Sequence, residues 1–410
     1  MGIRPRISAA LDVNGNGKMT VRSAWGRFYD LPHLWMPSDS PRRRPLAARF
    51  VVSGPLLDDP FATVAGGNPF PLVRGPNMTF PQFANWVTFP LDMKKWHADQ
   101  WNISVQRQLG TSWAASVNYV NSRGHRLPIG DNINPAVFQP GATTGNVNQR
   151  RLLNLENPQQ GHYGNIIAMK PIGTSLYDAL LLSLNRRASR GLSLTGNWTL
   201  SRCITDLINY EPGMAGFALS KPDDVAYDRG SCGGGDRKHV VNGTAVYQLP
   251  AFAKGVVGAI TNDWQVAGIV RAQSGDHFNV VTGVDNALNG QTNQRPNQIL
   301  ADPYLKQGNQ WLNPAAFQAP APGTYGNVPI NAFVGPGAFN VDMGITRSFH
   351  TGGNREIQFR AEFFNLFNTI QKLDPLTPPS AVAALNSPTF GQITTAADPR
   401  IVQLALKYVF

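Results

Sequence analysis

The sequence predicts an all-β fold: an antiparallel up-and-down transmembrane β-barrel represented by about eleven strands, the C-terminal half of a complete, larger barrel. Three observations lead there. Segments of roughly ten residues alternate apolar and polar side chains, the period of a wall with lipid on one face and water on the other. The connections between them alternate between short and very long, as a barrel with tight turns at one rim and large loops at the other requires. No stretch approaches the ~18 uncharged apolar residues that a spanning helix needs, so a membrane crossing by this chain must use strands.

Taken in order, strands are expected at 6–13, 19–30, 99–108, 112–120, 176–186, 192–201, 239–249, 264–274, 340–349, 355–367 and 399–410. The pattern is cleanest from Leu192 to Ser201. There Leu192, Leu194, Gly196, Trp198 and Leu200 take one face and Ser193, Thr195, Asn197, Thr199 and Ser201 the other. Short connections fall at Asn14-Gly15-Asn16-Gly17, Leu109-Gly110-Thr111, Ala188 to Gly191, Pro250 to Asp263 and His350 to Asn354. Long ones run from Leu31 to Ala98, Asn121 to Ser175, Arg202 to Lys238, Gly275 to Phe339 and Asn368 to Asp398. Trp113, Trp264 and Phe349 stand beside short turns, while Tyr29, Trp101, Tyr119 and Phe367 stand near long loops, the placement of two interfacial girdles. Val402, Leu404, Leu406, Tyr408 and Phe410 alternate with Gln403, Ala405, Lys407 and Val409 in the last strand.

Composition removes other classes. Only 15% of residues are charged, with 40 glycines, 32 prolines and 10% aromatics, a mix that disfavours long soluble helices and solvated disorder. The net charge of +11 is spread along the chain except at Arg42, Arg43 and Arg44, and no RRM, KH or zinc-knuckle pattern accompanies it. Nucleic acid is therefore not an expected partner; anionic lipid head groups at the rim suit the same charge. The first residues contain no apolar segment that could direct secretion, so a signal peptide is expected to lie outside this sequence.

Three motifs invite chemistry. Asp12-Val13-Asn14-Gly15-Asn16-Gly17 imitates half of a calcium loop, but Ser23 stands where the twelfth-position Glu belongs, and Asn-Gly pairs suit a hairpin turn. No metal and no cofactor are assigned. Gly230-Ser231-Cys232-Gly233-Gly234-Gly235 with nearby His239 lacks the strand-turn-helix elbow of a nucleophile, so it reads as a surface loop and an enzyme is not expected. Cys203 and Cys232, the only two cysteines, are expected near the two ends of one extracellular loop. A bridge closing it would stabilise by about 3–4 kcal/mol in an oxidising envelope; two free thiols are the alternative. In 355–367, Glu356, Gln358, Arg360 and Glu362 alternate with Ile357, Phe359, Ala361 and Phe363, so the polar set would face the lumen.

Several strands are similar to a known family. Trp101 to Gly110 (WNISVQRQLG), Asn118 to Gly124 (NYVNSRG), Asp236 to Pro250 (DRKHVVNGTAVYQLP), Gln273-Ser274-Gly275 and Phe359 to Asn368 (FRAEFFNLFN) together resemble TonB-dependent transporters of the Oar-like group. The last strand resembles the C-terminal signal read by the barrel-assembly machinery, carried by Val402, Leu404, Leu406, Tyr408 and Phe410. The resemblance implies residence in the outer membrane of a Gram-negative-type bacterium. It also implies nutrient import through a 22-stranded barrel with a plug, energised by TonB, ExbB and ExbD. Relative to that family, residues 1–410 would be a partial barrel without the plug or the leading carboxypeptidase-regulatory-like domain, reaching TonB only through the missing region. The imported substrate is expected to be a small molecule or oligomer, with saccharide or peptide as guesses. A non-transporting surface or adhesion barrel is the alternative, and a soluble β-sandwich binding protein a second one.

Overall fold

The computed structural model describes residues 3–30, 57–62, 67–68, 82–90, 92–160, 163–207, 218–291, 294–352, 355–376 and 382–410. Arg42 to Arg44 and the tip of the His350–Asn354 turn lie outside the described residues. Antiparallel strands dominate. The wall consists of β1 (Arg6–Asp12), β2 (Met19–Tyr29), β3 (His97–Leu109), β4 (Trp113–Asn132), β5 (Tyr163–Ser189), β6 (Leu192–Thr205), β7 (His239–Gln248), β8 (Trp264–Gln273), β9 (Ala338–Gly352), β10 (Arg355–Phe364) and β11 (Ile401–Val409). Each pairs with its sequence neighbours, and β1 and β11 form the two ends of the sheet. Two short strands, Ala84–Thr88 and Gly230–Ser231, attach beside β5 and β6 and bring the sheet to 13 strands.

Because every neighbour is antiparallel, connections fall alternately at opposite rims, and all the long ones share a rim. The first short turn shows how the sequence makes it: Gly15 and Gly17 adopt φ of 65° and 69°, open to glycine without strain, and Gly17 N donates to the Asp12 carboxylate at 2.6 Å. The connection from β7 to β8 is short but carries a small helix, Gly255–Thr261.

Register carries one apolar face across the wall. Val21, Val105, Val117, Leu182, Trp198 and Val241 pair in succession, as do Ser23, Ile103, Tyr119, Leu180, Leu200 and His239. The face continues through Val270, Val341 and Met343 to Phe363 and Val402. Its side chains are uncovered; Leu404 and Leu406 are 68% and 73% exposed, which a water-soluble fold would not tolerate over so wide a surface.

The hydrophobic core lies elsewhere, in the long loops. Phe278, Val280, Leu312, Phe317, Val328 and Phe333 from the β8–β9 connection pack with Ala383 and Phe390 from the β10–β11 connection. Phe317 sits edge-on to Phe333 and Phe390 at centroid distances of 5.2 and 5.4 Å. Small hairpins bind the layer together, including Tyr304–Gln307 with Gln310–Leu312. A second cluster joins Val87, Ile167, Met169 and Ala218 beneath the neighbouring loops.

Two expected loops are shorter than their sequence reading. The segment expected as a loop from Asn121 to Ser175 is strand at both ends: β4 runs to Asn132 and β5 begins at Tyr163, paired from Asn121↔Asp178 up to Asn132↔Ile167. Gly124, Pro128, Pro171 and Gly173 read as turn residues, yet here they sit at or near register shifts between His125 and Pro128. Gly173 has a packing reason, since an added Cβ would lie 2.8 Å from Ile129 Cδ1. Likewise β6 extends past Ser201, so Cys203 lies within a strand, paired with Tyr177, and not in the loop. At the other end β10 stops at Phe364, leaving Phe367 65% exposed beyond the strand.

Candidate functional site

The loop layer closes over the polar face of β8 to β11, and a cavity of about 850 Å³ remains between them. Arg271 and Gln273 from β8 and Asn340 and Asp342 from β9 line its wall, opposite the face that carries Val270 and Val341. Loop residues Arg237, Asp276, Lys372, Asp374 and Asp398 complete it.

Its side chains are held in place by hydrogen bonds. Arg237 donates to Gln273 Oε1 at 2.8 Å and to Asp276 Oδ2 at 2.5 Å. Asp342 accepts from Asn340 Nδ2 at 2.8 Å and from Asn365 N at 2.9 Å, which fixes the end of β10 against β9. Lys372 Nζ donates to Gly308 O at 2.7 Å. Burial, together with nearby Asp276, pushes the Asp374 carboxyl up to about 6 against the opposing pull of Arg237. Such a lining offers orienting donors, acceptors and both signs of charge, suited to holding a polar solute reversibly.

The residues singled out in the sequence are placed as follows. Glu356, Gln358, Arg360 and Glu362 pair with Val409, Lys407, Ala405 and Gln403, on the strand face opposite Ile357, Phe359, Ala361 and Phe363. Arg360 Nε donates to Gln358 Oε1 at 2.7 Å, and Glu356 accepts from Ser348 Oγ. They lie on the polar face, toward the short-turn rim from the cavity. Val402, Leu404, Leu406 and Tyr408 share the apolar face, and Tyr408 stacks on Phe410 at 6.0 Å. Cys203 and Cys232 are joined by a disulfide with a Cα–Cα distance of 5.4 Å. Ser231 donates to Asp236, while the His239 ring stacks on Trp198 at 5.9 Å, so the structure does not bring that serine and histidine together.

Sequence reasoning missed the charged partners. Arg27 clasps Asp99 through Nε at 2.7 Å and Nη2 at 2.8 Å across β2 and β3. His97, Asp99 and His125 are the one grouping among the described residues whose donor atoms could meet at a metal, all within 4.8 Å of each other. Both oxygens of that carboxylate are already engaged by Arg27. In the loops, Arg295 pairs with Asp228. The partners are separated by 67 to 72 residues, and only the paired register could have revealed the strand set.

An antiparallel meander with one uncovered apolar face and a folded loop layer at one rim is the wall of a membrane β-barrel. The chain belongs to the outer membrane beta barrel domain family, whose model matches residues 1–403, and its place is the cell outer membrane. Among solved structures it is similar to the outer membrane transporter YddB from Escherichia coli, at 12% identity and a TM-score of 0.53, over 99% of this chain and 40% of that one. The ferric-catecholate import receptor Fiu from E. coli K12 matches at 12% identity and TM-score 0.43, over 98% and 34%. BauA, the ferric preacinetobactin receptor of Acinetobacter baumannii, matches at 11% and 0.45, over 99% and 36%. The chain thus spans about 40% of the length of the transporter it resembles in fold. No curated protein matches it.

Proposed function

We infer that this chain is the C-terminal wall and outer vestibule of a TonB-dependent transporter that imports a polar small molecule or oligomer, of saccharide or peptide type. The observation that carries the reading is the cavity between the loop layer and the long-loop ends of β8 to β11, with Arg271, Asn340 and Asp342 on its wall. A solute captured there is already on the polar side of the wall. Glu356, Gln358, Arg360 and Glu362 continue that polar surface toward the periplasm and line its path or face a plug.

The sheet ends at β1 and β11, which do not pair with each other. Unpaired backbone groups in lipid cost several kcal/mol each, so a functional wall needs further strands between those edges. Energy from TonB, ExbB and ExbD would then act through a plug within the completed barrel. The last strand, with Val402, Leu404, Leu406, Tyr408 and Phe410, would supply the recognition signal for the assembly machinery.

Uptake by cells that express the full-length protein tests the reading. Labelled oligosaccharide and oligopeptide libraries should give at least one solute whose accumulation collapses when the proton gradient is dissipated or TonB is deleted. Substituting Arg271→Gln with Asp342→Asn should weaken that uptake while leaving the folded barrel in the membrane. Surface binding of solute with no gradient-dependent accumulation of any would favour an adhesive barrel instead.

A further inference from the structure

The apolar face of the wall carries two cross-strand pairs of tryptophan and arginine at the short-turn rim. Trp113 pairs with Arg186 in β4 and β5, and Trp264 pairs with Arg347 in β8 and β9. Both arginines alternate onto the lipid-facing side, Arg186 in step with Leu184 and Leu182, and Arg347 with Ile345 and Met343. The 10 residues of β8 begin at Trp264, and at ~3.4 Å per residue and ~40° of tilt they rise roughly 25 Å, the height of the apolar band. Trp264 and Arg347 therefore stand at the periplasmic boundary of the bilayer.

The two arginines differ in cover. Each guanidinium stands by its tryptophan ring, at 5.5 Å for Arg186 and 5.4 Å for Arg347, yet Arg186 is half-buried and Arg347 only 2% exposed. The extra cover comes from the β7–β8 connection. The carbonyl of Ile260, in the helix Gly255–Thr261, accepts from Arg347 Nη1 and, at 3.1 Å, from Trp264 Nε1. Both donors belong to the lipid-facing side, so the helix is folded outward against that side of the rim and not across the lumen. Asn262 holds it there, accepting from Phe252 N at 2.8 Å and donating to Ala253 O at 2.8 Å. Gly258 is buried in the turn, where an added Cβ would lie 2.4 Å from Ala253 O. Three large apolar side chains remain outside: Phe252, Val257 and Ile260 are 65%, 61% and 64% exposed. Val257 and Ile260, three residues apart, share one side of the helix.

We propose that the β7–β8 connection is a membrane foot: the helix Gly255–Thr261 lies in the periplasmic leaflet of the outer membrane, with Phe252, Val257 and Ile260 among the phospholipid acyl chains. The apolar patch is continuous with the lipid-facing wall, because the backbone that carries Ile260 is bonded to Trp264 and Arg347 of that wall. An interfacial helix sinks its apolar side about 5–10 Å into the boundary between head groups and chains and keeps its charges among the head groups. Lys254 and Asp263, exposed at the two ends of the connection, fit that placement. The same fold withdraws Arg347 from the acyl chains, against which an uncovered guanidinium is costly. Phe349 closes the remaining side, its ring centroid 4.4 Å from the guanidinium. The foot is independent of what the barrel carries.

Spin labels on the full-length protein in nanodiscs of phosphatidylethanolamine and phosphatidylglycerol test this. Val257→Cys and Ile260→Cys are labelled singly without reductant, which leaves the Cys203–Cys232 disulfide intact. Their collision rate with oxygen, relative to that with an aqueous nickel complex, should exceed by several-fold the ratio for a label at Asn14→Cys, in another short turn. Heat-modified migration on gels reports folding; if a label on the helix disturbs it, Phe252→Cys is labelled and read in the same way, with the same high ratio expected. Nickel accessibility equal to that at Asn14 would put the helix in water and overturn the proposal. Exclusion of both reagents would show burial against protein, and spectral broadening that disappears on dilution with unlabelled protein would show contact with a second copy. Either result would also overturn it.

Discussion

Arg295 and Asp228 meet at 2.6 Å with both side chains fully buried, and this pair ties the β6–β7 loop to the β8–β9 loop. The guanidinium also donates to Val328 O at 2.8 Å and Tyr227 O at 2.6 Å and lies 3.9 Å from the Tyr227 ring centroid. The carboxylate's other oxygen accepts from Ser220 N at 2.6 Å. Such completeness is what makes a buried charge tolerable. Arg295→Met should therefore destabilise the loop layer by about 3–5 kcal/mol, because it strands Asp228. Limited proteolysis should cut loops 218–238 and 274–337 much faster while the wall stays protected; unchanged cutting would argue against the pair as the main clasp.

Neighbouring residues on β5 should differ sharply. Leu182 lies on the apolar face, whereas Ser183 pairs with Asn197 and donates to it at 2.7 Å on the other. Leu182→Arg should cost about 2–4 kcal/mol of membrane folding stability, as lipid-facing arginine does near mid-bilayer. Ser183→Arg should change it by less than about 1 kcal/mol, as a substitution on a solvated surface usually does. Equilibrium folding of the full-length protein into vesicles measures both, and equal penalties would invert the assigned faces.

The disulfide ties the end of β6 to the short strand Gly230–Ser231 that pairs with Ile204 and Thr205. Cys203→Ser with Cys232→Ser should lower loop-layer stability by about 3–4 kcal/mol from the loss of loop-closure constraint. Mass-shift thiol labelling of the native protein should find both cysteines unreactive until reductant is added.

Asp374 gives the cavity a pH dependence with a definite sign. Its folded pKa, about 6, lies above the ordinary carboxylate value of 3.8, so between those values the folded state holds more proton than the unfolded. Stability from this group is therefore present below about pH 4 and lost as pH rises through about 6. Asp374→Asn should remove that decline, so that thermal unfolding of the loop layer differs little between pH 4.5 and 7. A variant with the wild-type slope would place the titration elsewhere.

Deleting Phe410, or replacing Tyr408 and Phe410 by Ala, should reduce the assembled protein in outer membranes several-fold and leave unfolded protein in the periplasm. Fractionation with heat-modifiability measures this. Normal assembly would remove the role proposed for the last strand.

The sequence by itself determined the strands, their order, the alternation of short and long connections and which side chains share the apolar face. These are local properties: period-2 hydropathy and Asn-Gly or Gly-rich turns act over a few residues, and antiparallel pairing of neighbours needs no long-range information. Only the tertiary structure decided that Gly124 to Asn132 continue as strand, because Gly and Pro read as turns until bulged pairing with 167–175 absorbs them. It alone also decided that the core lies in the loops, where Phe317 and Phe390 meet across 73 residues of sequence without any regular period. The same holds for Arg27 with Asp99 and Arg295 with Asp228, whose meeting depends on register and loop docking, which no sequence window contains. The wall was legible because lipid imposes a repeating rule on every strand; the cavity and the cover over Arg347 were not, because each is assembled from segments that meet only once the chain has folded.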